Sequence, residues 1–253
     1  MSKILCIGEV NLDVVAIISS DINYGSDTAA KVSTHGGGAG GNVAAWLRIA
    51  GAQSHMLARI GKDAAGVAVR SEFDRLGVTY SEIDVHGAPT GIVVVIVDKD
   101  GERSMFPDNG ANSGLTLADL PELDSFNAAY ISGYALLDPK SRPGILQMIG
   151  KIKAAGLKIY LDPATVGGMA GVPIAEIRAW INQVHCLLLS DHTLTESPGI
   201  FGRQLLRNLI GLGQEVAGVT RPLWTLGGER RGRDLGYPGS RRRPARYEPE
   251  DER

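Results

Sequence analysis

Cysteine is nearly absent from this chain: Cys6 and Cys186 are the only two in 253 residues, and both sit inside apolar, strand-like runs. That leaves no disulfide framework and argues for two buried, reduced thiols rather than a bridge or a nucleophile. The five histidines (His35, His55, His86, His185, His192) include no pair at metal-ligand spacing, so no zinc or iron site is expected. A surplus of charge is also missing. The net charge of −2 gives no general attraction to nucleic acid or to an anionic membrane, and neither is expected as a partner. Long hydrophobic runs are missing too, since stretches such as Gly91–Val97 are strand-sized and far too short to cross a bilayer. The chain enters a strand at Lys3-Ile4-Leu5-Cys6-Ile7 without a basic segment, apolar leader or cleavage site, so a cytoplasmic location is expected.

What is present suits a large α/β domain, with 43% hydrophobic and 21% charged residues. Residues 4–10 read as a buried strand, followed by short β-branched segments at 13–19 and 30–34 around a turn cluster at Asn23-Tyr24-Gly25-Ser26-Asp27. A helix over 42–50 stops at Gly51, a strand covers 54–60, and an amphipathic helix over 63–76 is closed by Gly77. Strands are expected at 79–85, 91–97 and 102–106, the last two joined by the hairpin signal Asp98-Lys99-Asp100-Gly101. Strand and helix then alternate: strands at 128–131, 158–161 and 184–189, helices at 142–155 and 174–182. This rhythm argues a parallel sheet with helices on both faces, where ligands sit beyond the carboxyl ends of the strands. Asn11, Asp13, Asp162 and Ser190 are expected at strand ends, and Trp46, Trp180 and Leu187 in the core.

The composition changes late in the chain. All eight lysines lie at or before Lys158, whereas residues 228–253 carry eight of the eighteen arginines without apolar periodicity. The expected division is a folded domain over 1–227 and a disordered Arg/Gly/Pro-rich tail over 228–253. The shift in usage also suggests a truncated or frameshifted C-terminal part.

The most informative stretch is Gly36-Gly37-Gly38-Ala39-Gly40-Gly41-Asn42, with further glycines at Gly51 and Gly61. Glycines let backbone approach a ligand closely, and the Asn42 amide offers both donor and acceptor where the chain turns into a helix. This spacing resembles the first signature of the ribokinase-like (PfkB) family of sugar and nucleoside kinases. Gly8-Glu9-Val10-Asn11-Leu12-Asp13 looks like that family's first strand, Gly61-Lys62-Asp63-Ala64-Ala65-Gly66 like its Gly-x-Asp-x-x-Gly turn, and Gly110-Ala111-Asn112 like its Gly-Ala-Asn turn. The resemblance implies a ribokinase-like three-layer α/β/α sandwich with a small β-sheet lid, its strands within about 13–34 and 91–106, and its C-terminal part incomplete. It implies that Asp13 reaches sugar hydroxyls, that Gly37 and Gly38 allow close approach, and that Asn42 and Asn11 join the substrate site. Arg103 would touch substrate or phosphate. Gly133-Tyr134 stands where some sugar kinases place an acidic contact, and Asp162-Pro163-Ala164 resembles a turn near the phosphate path, though a plain β-to-α turn explains it equally. ATP and Mg2+ are the implied cofactors, a sugar or nucleoside the implied partner, and a homodimer through the lid the implied assembly.

Departures from the pattern concern phosphoryl transfer. The family's Asn-x-x-Glu is replaced by Ser190-Asp191-His192-Thr193, which leaves Asp191 as a weak substitute; Thr225 and Gly227 resemble its nucleotide turn. The Gly-Ala-Gly-Asp run that supplies an anion hole and a catalytic base is absent, so no catalytic residue is assigned; Gly232-Arg233-Asp234 only imitates it. The expected function is an ATP-dependent sugar or nucleoside kinase by family, acting on a primary hydroxyl, with weak or no activity in this chain. A catalytically dead sugar-binding protein is the alternative. A nicotinamide-dependent dehydrogenase is a remote one: Gly36–Gly41 satisfies G-x-G-x-x-G, but the run does not follow the first strand directly and Arg59 stands near where the ribose-binding acid belongs.

Overall fold

The structure, a computed structural model, describes residues 2–164, 169, 171–190 and 215–220. The expected tail over 228–253 and the residues Asp191, Thr225 and Gly227 lie outside this set. Strand β1 (Lys3–Ile7) is apolar on both faces: Leu5 and Ile7 enter one core cluster and Cys6 the other. That pattern suits a strand covered on both sides. Around it the strands β4 (Gln53–Leu57), β5 (Thr79–Tyr80), β8 (Ala128–Ser132), β9 (Lys158–Asp162), β10 (Cys186–Ser190) and β11 (Glu215–Thr220) form a parallel sheet in the order β11-β10-β9-β8-β1-β4-β5.

Helices α1 (Ala39–Ile49) and α2 (Ala64–Leu76) cover one face, where Ala44, Val69 and Phe73 pack with Cys6, Met56 and Tyr130. Helices α3 (Gly133–Leu137), α4 (Arg142–Ala154) and α5 (Ile174–Ile181) cover the other, where Leu136, Ile145, Ile149 and Ile177 pack with Leu5, Ile131, Ile159 and Leu187. The result is the three-layer arrangement that the alternation implied. Both cysteines are buried and free.

A second, four-stranded sheet stands apart from this core. It contains β2 (Asn11–Ile18), β3 (Ala30–Gly37), β6 (Gly91–Val97) and β7 (Arg103–Asp108) in the order β3-β2-β6-β7. The two central strands are parallel and each outer pair is antiparallel. The hairpin signal at 98–101 is realised, with Asp98 N–H donating to the Glu102 carbonyl at 3.0 Å and Gly101 at φ 84°.

Several boundaries differ from expectation for identifiable reasons. The strand expected over 4–10 ends at Ile7, because Gly8 carries the chain out of the parallel sheet. Asn11 and Asp13 therefore open a lid strand instead of closing β1, and the lid strands reach from Asn11 to Gly37 and from Gly91 to Asp108. Helix α1 starts three residues early, at Ala39, so Gly40 and Gly41 lie in its first turn. The strand expected over 79–85 shortens to two residues on the sheet edge, and that over 54–60 to Gln53–Leu57. Helix α3 had no sequence signal. Trp46 is 42% exposed, contrary to its expected core position, while Trp180 and Leu187 are buried.

Asp63 joins the lid to the base. As the N-cap of α2 its Oδ1 accepts the Gly66 N–H at 2.8 Å and the Thr90 hydroxyl at 2.7 Å, and its Oδ2 accepts the Thr90 N–H at 2.8 Å just before β6. Burial would raise this carboxyl, but the Thr90 hydroxyl and the Gly66 and Thr90 N–H groups outweigh it and hold it below 3.8. Asp63→Ala should cost about 2–3 kcal/mol in urea unfolding at pH 7, the sum of a lost cap and a stranded Thr90 N–H. Because the folded-state value is depressed, the stabilisation is present above the ordinary carboxylate range and fades as pH falls through the folded value. The gap between wild type and Asp63→Ala should therefore narrow when the unfolding is repeated in acid.

Candidate functional site

The two sheets meet where Gly8-Glu9-Val10 crosses from β1 to β2. Asn112, in a 3-10 turn at Gly110–Asn112, clamps this crossing. Its Oδ1 accepts the Val10 N–H at 2.9 Å, and its Nδ2 donates to the Val10 carbonyl at 3.1 Å and to Asn11 Oδ1 at 2.7 Å. Gly91 pairs with Asn11, and a Cβ there would collide with the Asn11 and Asn112 side chains. Arg59 fixes the same turn by donating to the Ala111 carbonyl at 3.2 Å and the Gly114 carbonyl at 3.4 Å.

The glycine loop runs from the end of β3 into α1. Gly37 lies against Asp13, and any Cβ at Gly37 would occupy the space of the Asp13 carboxyl. Gly38, at φ 82°, is the N-cap of α1 and has no side chain to cap with. Glu9 does this from across the chain: its Oε1 accepts the Ala39 N–H at 2.7 Å and its carbonyl accepts the Gly41 N–H at 3.2 Å. This topology does not suit a dinucleotide site. The glycine run ends an antiparallel lid strand instead of following β1, and Arg59 is committed to backbone carbonyls.

Five side-chain atoms in this region are sealed from solvent without a well-aligned hydrogen-bond partner: Glu9 Oε2, Asp13 Oδ1, Asn42 Nδ2, Tyr130 OH and Ser132 Oγ. Ser132 interacts with Glu9 and Tyr130 with Asp162, so Asp13 Oδ1 and Asn42 Nδ2 are the two that mark a place built to meet something else. Burial pushes the Asp13 carboxyl up to about 6, with His35, its cross-strand neighbour, pulling it slightly back. Asp13 is only 7% exposed. An ionised Asp13 offers lone pairs and Asn42 Nδ2 offers N–H, the two complements of a hydroxyl.

Asp13, Asn11, Gly37 and Gly38 thus come together at one end of the lid, and Asn42 stands in the first turns of α1, its N–H donating to the Gly38 carbonyl at 2.9 Å. Asn11 differs from the others in spending its Oδ1 on Asn112. Arg103 is not brought to this group. Asp13 aligns with Val93 and Pro107, whereas Arg103 aligns with Val97, four residues or about 13 Å further along the lid. Asp162 ends β9 beside Ser132, with its Oδ1 accepting the Ala164 N–H at 2.9 Å. Glu9, Asn112, Tyr130 and Ser132 were not expected at the site. A carboxylate at position 9, directly beyond an apolar strand, was the available signal for Glu9. Asn112 stands in the Gly110-Ala111-Asn112 turn that the sequence marks, but the backbone it holds lies some hundred residues away, so no local pattern marks its clamping role.

Comparison with known proteins agrees with this geometry. The family described as pfkB family carbohydrate kinase matches residues 1–229. The chain is 23% identical over 188 residues to the pseudouridine kinase of Escherichia coli K12, covering 73% of this chain and 57% of that protein. It is 29% identical over 174 residues to the ribokinase of Arabidopsis thaliana, covering 66% of this chain and 44% of that protein. It spans about half the length of these curated relatives. Among solved structures, the fructokinase from Xylella fastidiosa superposes with a TM-score of 0.70 at 18% identity, over 88% of this chain and 73% of that one, which shows a shared ribokinase-like fold. With a family match over most of its length, the chain belongs to the pfkB family of carbohydrate kinases.

Proposed function

We propose that this chain binds a sugar or nucleoside between the lid and the glycine loop, as an ATP-dependent kinase of a primary hydroxyl would, and that it transfers phosphate weakly or not at all. The observation that carries the binding half is the pair of orphaned, solvent-sealed atoms, Asp13 Oδ1 and Asn42 Nδ2. A polyol supplies a donor to the first and an acceptor to the second, while Gly37 and Gly38 make room for the Asp13 carboxyl and the Glu9–Val10 backbone beside them. Asn11 completes the cradle through its remaining amide. Arg103 stays outside it unless the lid bends.

The transfer half lacks support in the sequence. No Gly-Ala-Gly-Asp run exists in the 253 residues, and the nucleotide contacts expected of Asp191, Thr225 and Gly227 lie outside the described residues. ATP would supply the phosphoryl group and Mg2+ would neutralise its charge. Among the described residues no three His, Cys, Asp or Glu side chains are placed to hold a metal ion. A catalytically dead sugar-binding protein is the second reading, favoured by the intact cradle beside the missing base. A homodimer through the lid is supported by the lid face opposite Asp13, where Val32, Val94 and Phe106 are exposed; light scattering should then report twice the chain mass.

Isothermal titration with ribose, fructose and adenosine should detect binding, while a coupled kinase assay should find turnover lower than that of an intact family member by at least about 10²–10⁴, the share of a general base alone. Robust phosphorylation would overturn the transfer half of this reading. Binding should weaken as the pH drops below about 6, because protonation turns one Asp13 oxygen into a donor and leaves weaker acceptors for the hydroxyls. Asp13→Asn should abolish that pH dependence and weaken binding, while leaving the free protein at least as stable at pH 8. The sign follows from a folded-state value raised by burial: the charged carboxylate disfavours the fold above about 6.

A further inference from the structure

Three consecutive residues of β3 surround the Asp13 carboxyl. Gly37 lies against it, and Gly36 is pinned by its N–H donating to Glu72 Oε2 on α2 at 2.7 Å. His35 stands directly opposite Asp13 in the antiparallel register of β2 and β3. Residues paired in this way project from the same face of a sheet, with Cβ atoms about 4.5–5.5 Å apart. His35 is exposed where Asp13 is buried, so the imidazole meets the solvent that the carboxyl does not. Its Nε2 lies 2.9 Å from the hydroxyl of Ser33, two residues back on the same face. A hydroxyl donates to a neutral ring and accepts from a charged one, so the ring can take up a proton without losing this contact.

The other charged groups around Asp13 are distant or already engaged. Lys31, on the same strand and face, pairs with Ile17, four residues or about 13 Å from His35. On the opposite side Asp13 aligns with Val93 of β6, and Val93 with Pro107 of β7, neither of them charged. From α2, Glu72 holds Gly36 with one oxygen and faces Arg75 at 3.7 Å with the other. Arg48 of α1 donates to the Leu76 and Ala52 carbonyls, and Glu9, on the crossing before β2, accepts from Ala39. Burial is the larger influence on the Asp13 carboxyl, and His35 is the charge that opposes it. Among the described residues Asp13 belongs to no salt bridge, so this influence acts through space and not through a contact pair.

We propose that His35 is a positioning residue for the ligand: by taking up a proton as the solution turns acid, it keeps the neighbouring Asp13 charged and its acceptors available to hydroxyls. The proposal rests on the polyol reading of the same cradle. Imidazole ordinarily changes charge between about pH 5 and 8, and Asp13 loses its charge within that span. A cation beside a carboxylate favours the charged form. The sign follows. Without the cation Asp13 protonates, and binding fades, at a higher pH; with a permanent cation both happen at a lower one.

The test is isothermal titration of the full chain with ribose, fructose and adenosine across about pH 5 to 8, in wild type, His35→Gln and His35→Lys. Each affinity is scaled to that protein's own value at the alkaline end. The pH at which binding is half lost should be highest in His35→Gln, intermediate in wild type and lowest in His35→Lys, with the extremes about half a pH unit apart, as suits an exposed pair. Salt supplies a reading that needs no variant. Raising it from about 0.1 M to about 1 M shortens the screening length from about 10 Å to about 3 Å, so the wild-type midpoint should rise. Circular dichroism establishes that the variants are folded; if either is not, the salt series decides. Coincident or reversed midpoints in folded variants, or a wild-type midpoint indifferent to salt, remove the proposal and leave the polyol reading standing. Failure of every ligand to bind removes the polyol reading, and this proposal with it.

Discussion

Asp13 keeps its carboxylate over the backbone of Gly37, a place that any other side chain at position 37 would fill. The rest of the site follows from that contact. It requires β3 to end in glycine, it lets the lid approach the start of α1, and it shields Asp13 so thoroughly that its carboxyl rises to about 6. One oxygen is left without a protein partner, which a fold selected for stability alone would avoid. The cost is borne where a ligand can relieve it.

A contact of this kind is useful only if the lid and base hold their relative registration, and a small set of polar side chains provides that. Asn112 grips both polar groups of Val10 and the side chain of Asn11. Asp63 ties the start of α2 to Thr90 at the head of β6, and Arg59 secures the turn that carries Asn112. Glu9 anchors the first turn of α1 with its side chain and its carbonyl together. The cradle is thus assembled from four chain crossings, each held by hydrogen bonds to backbone groups that no neighbouring secondary structure satisfies.

Much of the fold was legible because the parallel strands and their covering helices differ in period and are separated by glycine and turn residues. The limits show where periodicity misleads. Residues 4–10 form one apolar run, yet Gly8 at φ 159° and the pull of the lid redirect the chain after Ile7. Residues 79–85 are rich in β-formers, but on the sheet edge only Thr79 and Tyr80 find partners. In the proposed site, Asn42 and the glycines stand out in the Gly36–Asn42 run and Asp13 in the separate Gly8–Asp13 run. Arg103 could not be placed, because hairpin register decides which residues face Asp13, and that register puts Pro107 there instead. Glu9 and Asn112 act across long sequence separations, and Tyr130 and Ser132 look like ordinary members of a buried strand until their hydroxyls are seen beside Asp162 and Glu9.

Taken together, the unpartnered Asp13 Oδ1 and Asn42 Nδ2 offer one acceptor and one donor, and a hydroxyl-rich ligand is their natural complement. The most direct measurement is a crystal structure of this chain grown with a sugar that it binds. The account predicts sugar hydroxyl oxygens about 2.6–3.0 Å from both Asp13 Oδ1 and Asn42 Nδ2, with Asp13 still lying over Gly37. A sugar seated elsewhere, or a free structure in which protein groups satisfy both atoms, would contradict it.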